Sequence, residues 1–177
     1  MNVYETDLKG LLVIEPQIFG DDRGFFIETF QSEKYAEIGI GHRFIQDNLS
    51  RSSQGVVRGL HFQKTKPQGK LVTCIKGKVL DVVVDLRLDS ESLGKSFSII
   101  LDSDTRTQLW VPPGFAHGFS VLSKSADFFY KCTDYYFPHD EGGIVWNDPD
   151  LAIDWLVTNP HVSEKDQKLQ YLREVIG

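Results

Sequence analysis

The sequence predicts a mainly β chain, an antiparallel jelly-roll barrel with a few short helices. Three observations carry that expectation. Runs of β-branched and aromatic residues with a two-residue alternation recur through the middle of the chain, as in "KLVTCIKGKVLDVVVDLR" (70–87). Gly, Pro-Gly and Ser/Asp/Lys turns break these runs at the spacing of a sandwich or barrel. Helix start and stop signals are confined to two short stretches.

Taken in order, the first sixty residues supply three β segments, "LLVIEP" (11–16), "RGFFIETF" (23–30) and "HRFIQDNLS" (42–50). Among them a helix is expected over 32–38, with Ser32 as N-cap and Gly39 just past its end. "VVRGLHFQ" (56–63) reads as a strand. The 70–87 stretch holds a β-branched run, a Lys-Gly turn signal at 76–77 and a second run alternating with Asp81 and Asp85, which predicts a hairpin. Further strands are expected at 96–101, 107–111, 118–122 and 127–136. Ser163 can cap a last helix over 163–175, giving a helical tail at about 163–177. A chain of 177 residues suits one well-buried domain spanning 1–177.

Hydrophobic residues make up 41% and charged residues 25%, with a net charge of -6, the profile of an ordinary soluble globular protein. The acidic balance argues against a nucleic-acid partner, because phosphate-backbone affinity needs a clustered basic surface. A few converging Arg and Lys can still hold one small phosphorylated ligand. No run approaches the roughly 18 apolar residues of a membrane span, and "MNVYETDLKG" lacks the regions of a signal peptide, so no membrane association and a cytoplasmic location are expected. Cys74 and Cys132 are far apart and lack zinc-site spacing, which reads as two reduced thiols.

Three segments carry chemistry. In "VVRGLHFQ" a strict two-residue period sends Arg58 and His61 to opposite faces, and both reach one pocket only if the strand bulges, for which Gly59 is the tolerant position. A lone strand histidine also has a purely structural reading. In "LWVPPGFAHGFSVL" (109–122) a Pro-Pro-Gly turn delivers His117 at the start of a strand. This P-x-G-x-x-H pattern is that of the second metal-binding motif of cupin barrels, but Val121 stands where asparagine is usual and the first motif's two histidines and glutamate are missing. The expectation is a cupin-type jelly-roll antiparallel barrel that holds no metal. In "ADFFYKCTDYYFPHDEGGIVWNDPDL" (126–151) the alternation puts Phe128, Tyr130, Cys132, Asp134 and Tyr136 on one strand face, so Tyr130 and Tyr136 can look into one cavity.

Together, "DxRGFFxE" (Asp21, Arg23 to Phe26, Glu28), "VVRGLHFQ", "QGKLV", "GKVLDVVVDLR", "PPGFAHGFSVL", "YKCTDYY" and "WNDPDLAIDW" resemble, in order, the dTDP-4-dehydrorhamnose 3,5-epimerases. The likeness runs from about residue 3 to 168. It implies a homodimeric, metal-free isomerase needing no cofactor, acting on dTDP-4-keto-6-deoxy-D-glucose at C3 and C5 to give dTDP-4-keto-L-rhamnose in dTDP-L-rhamnose biosynthesis. The alternative within the fold is an epimerase working at C5 or C3 only, or a ketoisomerase, on a related dTDP-4-keto-deoxysugar. A rival of another class is a metal-dependent or merely sugar-nucleotide-binding cupin.

By match to the family motifs, His61 is the expected base, Tyr130 the acid across the ring and Lys70 the cation near the oxyanion; without the family, Lys70 reads as a solvated strand-end lysine. Asp166 in "SEKDQ" matches the family's partner of the catalytic histidine, yet Ser163-x-x-Asp166 also resembles a capping box in which Asp166 closes a helix. Asp81 is either a partner of His117 or a barrel-lining acid. Arg23, Glu28, Gln46, Asn48, Arg58, His117, Glu141 and Lys165 match the family's contacts to nucleotide, diphosphate or sugar, and Tyr136 matches the aromatic that stacks on thymine. Glu28, Gln46 and Asn48 otherwise read as turn and strand-edge polarity. The departures are a slightly short "HFQKTKPQGK" loop, Leu156 in "DWLV" and a short tail after Gln167.

Overall fold

The computed structural model describes residues 1–177. The chain opens with β1 (Asn2–Glu5) and β2 (Leu12–Glu15), antiparallel neighbours, and then leaves the body as a two-stranded arm, β3 (Ile18–Asp21) and β4 (Gly24–Ile27). The Asp21 carboxylate accepts the Arg23 backbone N–H at 2.9 Å and so closes the arm's turn. Phe19, Phe25 and Phe26 stand exposed on it.

Helix α1 (Ser32–Glu37) returns the chain to the body. Its N-cap is Gln31, one residue before the expected Ser32: the Gln31 carboxamide oxygen accepts the Lys34 N–H at 2.7 Å. Gly39 follows at φ +90°, where a residue without Cβ is needed.

The remaining strands are β5 (Gln46–Ser53), β6 (Val56–Gln63), β7 (Lys70–Lys76), β8 (Lys78–Asp85), β9 (Ser96–Asp102), β10 (Gln108–Val111), β11 (Phe115–Val121), β12 (Ser125–Cys132), β13 (Glu141–Gly143) and β14 (His161–Val162). They form two sheets. One runs β1-β2-β10-β7-β12-β5, the other β13-β6-β11-β8-β9, with β14 added parallel to β6. The sheets face each other over a core that joins Val72, Leu109 and Phe128 of the first to Val83, Phe119 and Val121 of the second. This is the mainly antiparallel jelly-roll barrel that the sequence leads one to expect.

The outer faces are covered too. Val57, Leu60, Val82 and Ala116 pack under Ile144, Trp155 and Leu172 of the C-terminal segment, while Tyr35 and Ile40 cover Leu71 and Trp110 of the first sheet. Strand β8 is therefore buried on both faces, which accounts for the aliphatic run "VLDVVVD".

Four expectations need correcting. Segment 70–87 is no hairpin: β7 lies between β10 and β12, and β8 between β11 and β9 in the other sheet. Gly77, at φ +79°, is the corner by which the chain changes sheets, and a Cβ there would stand 2.2 Å from the Ser125 carbonyl oxygen. A hairpin and a corner both need a positive-φ residue between β runs, so the local signal is the same. The strand expected at 118–122 begins at Phe115, so His117 lies inside it. Strand β12 stops at Cys132, leaving Asp134 and Tyr136 in the next loop rather than on its face. The expected 163–175 helix is a 3₁₀ turn (Asp166–Lys168) and a separate α2 (Leu172–Ile176), because Leu169 is extended and the Gln170 carbonyl accepts the Val145 N–H at 2.9 Å.

Candidate active site

The site begins with the bulge. Along the β6–β11 ladder His117 pairs with His61 but Phe119 with Arg58, so two steps on β11 match three on β6. The extra residue puts Arg58 and His61 on the border of one cavity and sends Leu60 into the covered outer layer. Gly59 makes this possible. It sits at φ +111°, and a Cβ there would lie 2.6 Å from Gly118 Cα and 2.7 Å from the His117 carbonyl oxygen. The Gly59–Leu60 peptide is cis.

His61 is held by Asp166. Its Nε2 lies 2.8 Å from Asp166 Oδ1, and Oδ2 of the same carboxylate accepts the Gly59 N–H at 3.2 Å. Ser163 Oγ accepts the Asp166 backbone N–H at 3.1 Å. The serine thus caps the turn while the Asp166 side chain turns inward to the histidine instead of closing the cap. Burial works to raise the Asp166 carboxyl, but the bonds from His61 and Gly59 outweigh it and hold the group below the usual carboxylate range. A carboxylate only accepts, so His61 Nε2 carries the hydrogen of this bond, and in the neutral ring Nδ1 is the accepting nitrogen.

The facing wall comes from the other sheet. A cavity of about 240 Å³ has His61 on one side and Tyr130 of β12, Lys70 of β7 and Gln46 and Asn48 of β5 on the other. Burial pushes the Tyr130 phenol above its ordinary value, so it keeps its proton until a stronger base is beside it. Burial pushes the Lys70 ammonium below the ordinary lysine range, opposed by Cys132, Asp81 and Glu141. Gln46 Nε2 donates to Asn48 Oδ1 at 3.1 Å, and Gln46 Oε1 accepts the Tyr136 N–H at 2.9 Å.

Glu141 closes the rim. Its Oε2 accepts the Tyr136 hydroxyl at 2.6 Å and Lys165 Nζ at 2.5 Å, while Oε1 lies 4.0 Å from His61 Nε2. Burial opposes the Glu141 charge, yet Lys165 and Tyr136 together hold its carboxyl below the ordinary range. The Tyr136 phenol is raised in turn by Glu141.

Two expected residues sit around the wall rather than in it. His117 is buried beside His61, its Nε2 2.9 Å from Asp81 Oδ2, so Asp81 is indeed its partner. Arg58 Nε donates to Ser52 Oγ at 3.0 Å and borders a second cavity, of about 480 Å³, that also touches His61, Lys165 and Asp166.

Arg23 and Glu28 are not brought to either cavity within this chain. Arg23 is paired to Asp21 at the tip of the arm, and Glu28 binds Lys34 Nζ at 2.6 Å. Sequence reasoning missed Phe62, Gln63 and Gln68, which also line the smaller cavity. The signal for Gln63 was available: once a bulge is placed at Gly59, alternation puts residue 63 on the face of His61. The His, Cys, Asp and Glu side chains form no group of three that could hold a metal ion.

A family model described as dTDP-4-dehydrorhamnose 3,5-epimerase matches residues 5–174. The dTDP-4-dehydrorhamnose 3,5-epimerase of Escherichia coli (strain K12) is 50% identical over 179 residues, covering 99% of this chain and 97% of that protein. Two crystal structures are similarly near. The dTDP-6-deoxy-D-glucose-3,5-epimerase of Legionella pneumophila in complex with dTDP-4-keto-L-rhamnose is 50% identical with a TM-score of 0.95, covering 97% of this chain and 93% of that one. The dTDP-4-dehydrorhamnose 3,5-epimerase of Bacillus anthracis, with TDP and PPi bound, is 44% identical with a TM-score of 0.94, covering 96% and 98%. A match of this identity along nearly the whole length, on a barrel whose walls oppose a histidine and a tyrosine, places the chain in the dTDP-4-dehydrorhamnose 3,5-epimerase family.

Proposed function

We propose that the chain inverts C3 and C5 of dTDP-4-keto-6-deoxy-D-glucose to give dTDP-4-keto-L-rhamnose, in the formation of dTDP-L-rhamnose. The observation that carries this is the placement of His61 and Tyr130 on opposing sheets across one cavity. Epimerisation removes a proton from one face of a carbon and returns one to the other, so its acid and base must stand on opposite sides of the sugar ring.

A ketone at C4 acidifies the hydrogens on C3 and C5. His61 Nδ1 takes one of them, the carbon's electron pair moves into the carbonyl, and the C4 oxygen becomes an enolate oxyanion. Lys70 supplies positive charge to that oxygen in a site partly shielded from water, where the interaction is strong. As the enolate collapses, Tyr130 gives its proton to the opposite face of the carbon. Tyr130 and His61 then re-equilibrate with water, and the second carbon follows. Asp166 keeps the hydrogen on His61 Nε2 throughout, so Nδ1 is the accepting nitrogen in each cycle.

Arg58 and Lys165, beside the larger cavity, suit the diphosphate, since guanidinium and ammonium groups match phosphate oxygens in charge and donors. Gln46, Asn48, Glu141 and Tyr136 complete the contacts to sugar and base, and His117, bonded to Asp81, backs the wall behind His61. Arg23 and Glu28 reach substrate in a homodimer, where the arm of one copy lies over the cavity of the other; the exposed Phe19, Phe25 and Phe26 supply the apolar area for that docking. The whole chain acts as one barrel domain. Two unpaired buried thiols, Cys74 and Cys132, suit a reducing cytoplasm.

The test is proton exchange followed by NMR with dTDP-4-keto-6-deoxy-D-glucose in D₂O. Deuterium at both C3 and C5 with the L-sugar as product is the expected result. Deuterium at one carbon alone would make the chain a single-site epimerase, and none would overturn the reading.

A further inference from the structure

The strand that carries His61 ends on Gln63, to which the reaction gives no part. Its side chain is buried, borders the cavity and has every hydrogen-bonding group in use. Nε2 donates to the carbonyl oxygens of Lys66 at 2.7 Å and Tyr135 at 3.1 Å, and Oε1 accepts the Phe137 N–H at 2.6 Å. A carboxamide has two N–H donors and an oxygen with two lone pairs, so both donors and one lone pair are held by the loops.

The partners lie on two different loops. Lys66 belongs to 64–69, which leads directly into Lys70, and Tyr135 and Phe137 flank Tyr136 in 133–140, which leads into Glu141. These loops are also joined to each other: the Asp140 carboxylate accepts the Lys66 N–H at 2.9 Å and the Thr65 hydroxyl at 2.7 Å, and Gln68 Nε2 donates to the Asp134 carbonyl at 2.8 Å. Bonds of that kind make the rim one body, which Gln46 Oε1 ties to β5 on one side through the Tyr136 N–H. Gln63 fastens that body to the wall strand bearing the base.

We propose that Gln63 is a positioning residue of the epimerase, setting the Lys70 ammonium and the Tyr136 ring against His61. The inference rests on the proposed function. Its physical basis is the steep dependence of rate on geometry, in which a shift of about 1 Å costs about a hundredfold. Because Gln63 is buried and bonds both loops, removing its amide takes away the three bonds that tie them to β6 without altering any group placed in contact with the substrate.

The experiment compares Gln63→Met, of similar length but without donor or acceptor, and Gln63→Glu, whose carboxylate keeps the acceptor and loses both donors. We measure turnover, dTDP affinity by calorimetry and thermal melting, with the unaltered enzyme in parallel. The expected result is folded protein with turnover and dTDP affinity each lowered about tenfold or more. For Gln63→Glu, activity relative to the unaltered enzyme should rise as pH falls and the carboxyl regains an O–H donor.

Folded Gln63→Met with unaltered turnover and dTDP affinity would overturn the proposal. So would unfolding of both variants, which would make Gln63 an element of stability. Absence of carbon-bound deuterium uptake by the unaltered enzyme would instead overturn the epimerase reading itself.

Discussion

Replacing Asp166 with asparagine exchanges one oxygen for an amide nitrogen at almost constant volume, and so isolates what the carboxylate does for His61. Its two oxygens accept from His61 Nε2 at 2.8 Å and from the Gly59 N–H at 3.2 Å. Asparagine has one acceptor for these two donors. If its oxygen stays on His61, its NH₂ faces the Gly59 N–H, leaving a buried donor unpaired at about 1–3 kcal/mol. If its oxygen turns to Gly59, its NH₂ donates to Nε2 and forces the imidazole hydrogen onto Nδ1. The base then presents a hydrogen where it must accept one. Loss of an orienting carboxylate of this kind lowers turnover by about 10²–10⁴-fold, with dTDP binding little changed.

The stability cost corresponds to a Tm lower by about 2–12 °C in a chain of this size. Its pH dependence has a definite sign. The Asp166 carboxyl is held below its unfolded value, so it contributes stability above about pH 3.9 that is lost as pH falls through the folded value. The melting gap between the two proteins should therefore hold from pH 7 to about pH 4 and narrow as the pH falls below about 3.9. Deuterium exchange at saturating substrate and melts across that range are the assay. Turnover within about threefold of the unaltered enzyme, or a gap that does not change with pH, would refute the assignment.

His61→Ala and Tyr130→Phe should each lower turnover on the order of 100-fold or more while leaving dTDP affinity nearly intact, and near-normal turnover in either would reject that residue's role. Gly59→Ala forces a Cβ to within 2.6 Å of Gly118 Cα at φ +111° and should cost about 2–5 kcal/mol, read by denaturant unfolding; an unchanged midpoint would mean that the bulge is not tightly packed. Asp85 accepts from Arg87, Ser90 and Ser92 with its carboxylate fully buried, so Asp85→Ala should cost about 3–5 kcal/mol. Burial raises the Asp85 carboxyl, but those donors hold it well below its usual range, so its contribution is present above about pH 3.9 and fades below; a difference that persists undiminished at low pH would contradict this.

Much of this molecule is legible in its sequence, and the parts that are not share a physical reason. The β-branched runs and turn residues disclose β2 and β4 to β12, because alternation and turn chemistry are local, and they miss β1, β3, β13 and β14, which are too short to show a period. The 70–87 segment misleads because strand pairing is not local: Gly77 serves a sheet-changing corner as readily as a hairpin. The 163–175 helix fails for the same reason, since the Gln170–Val145 bond that interrupts it comes from a distant segment. At the site, Gly59 between Arg58 and His61 discloses the bulge through residue identity alone, and the Asp81–His117 pair emerges as the sequence allows. The two readings of Asp166 could be separated only by seeing which way its side chain turns. Arg23 and Glu28 match a motif but stand away from both cavities, and Gln63 is placed on its face by alternation while its bonding stays hidden, because its partners are backbone groups, which leave no trace in residue identity.

A histidine and a tyrosine on one strand face would meet the substrate from the same side, and a ladder without interruption would send either Arg58 or His61 out of the cavity. The barrel resolves both difficulties with its architecture. Placing His61 on the sheet that holds β6 and Tyr130 on the sheet that holds β12 puts the width of the smaller cavity between them, which is the separation that the proposed inversion at carbon requires. The bulge adds one residue to β6 without disturbing the pairing of β11 with β8, whose register runs unbroken from Phe115 to Val121. The irregularity is thereby confined to the strand that needs it. The two glycines that permit it, Gly59 and Gly118, lie back to back where any Cβ would force the strands apart. Local backbone freedom at one contact thus decides whether Arg58 and His61 border the larger cavity, and in the proposed reaction the opposing sheet decides from which face Tyr130 returns the proton.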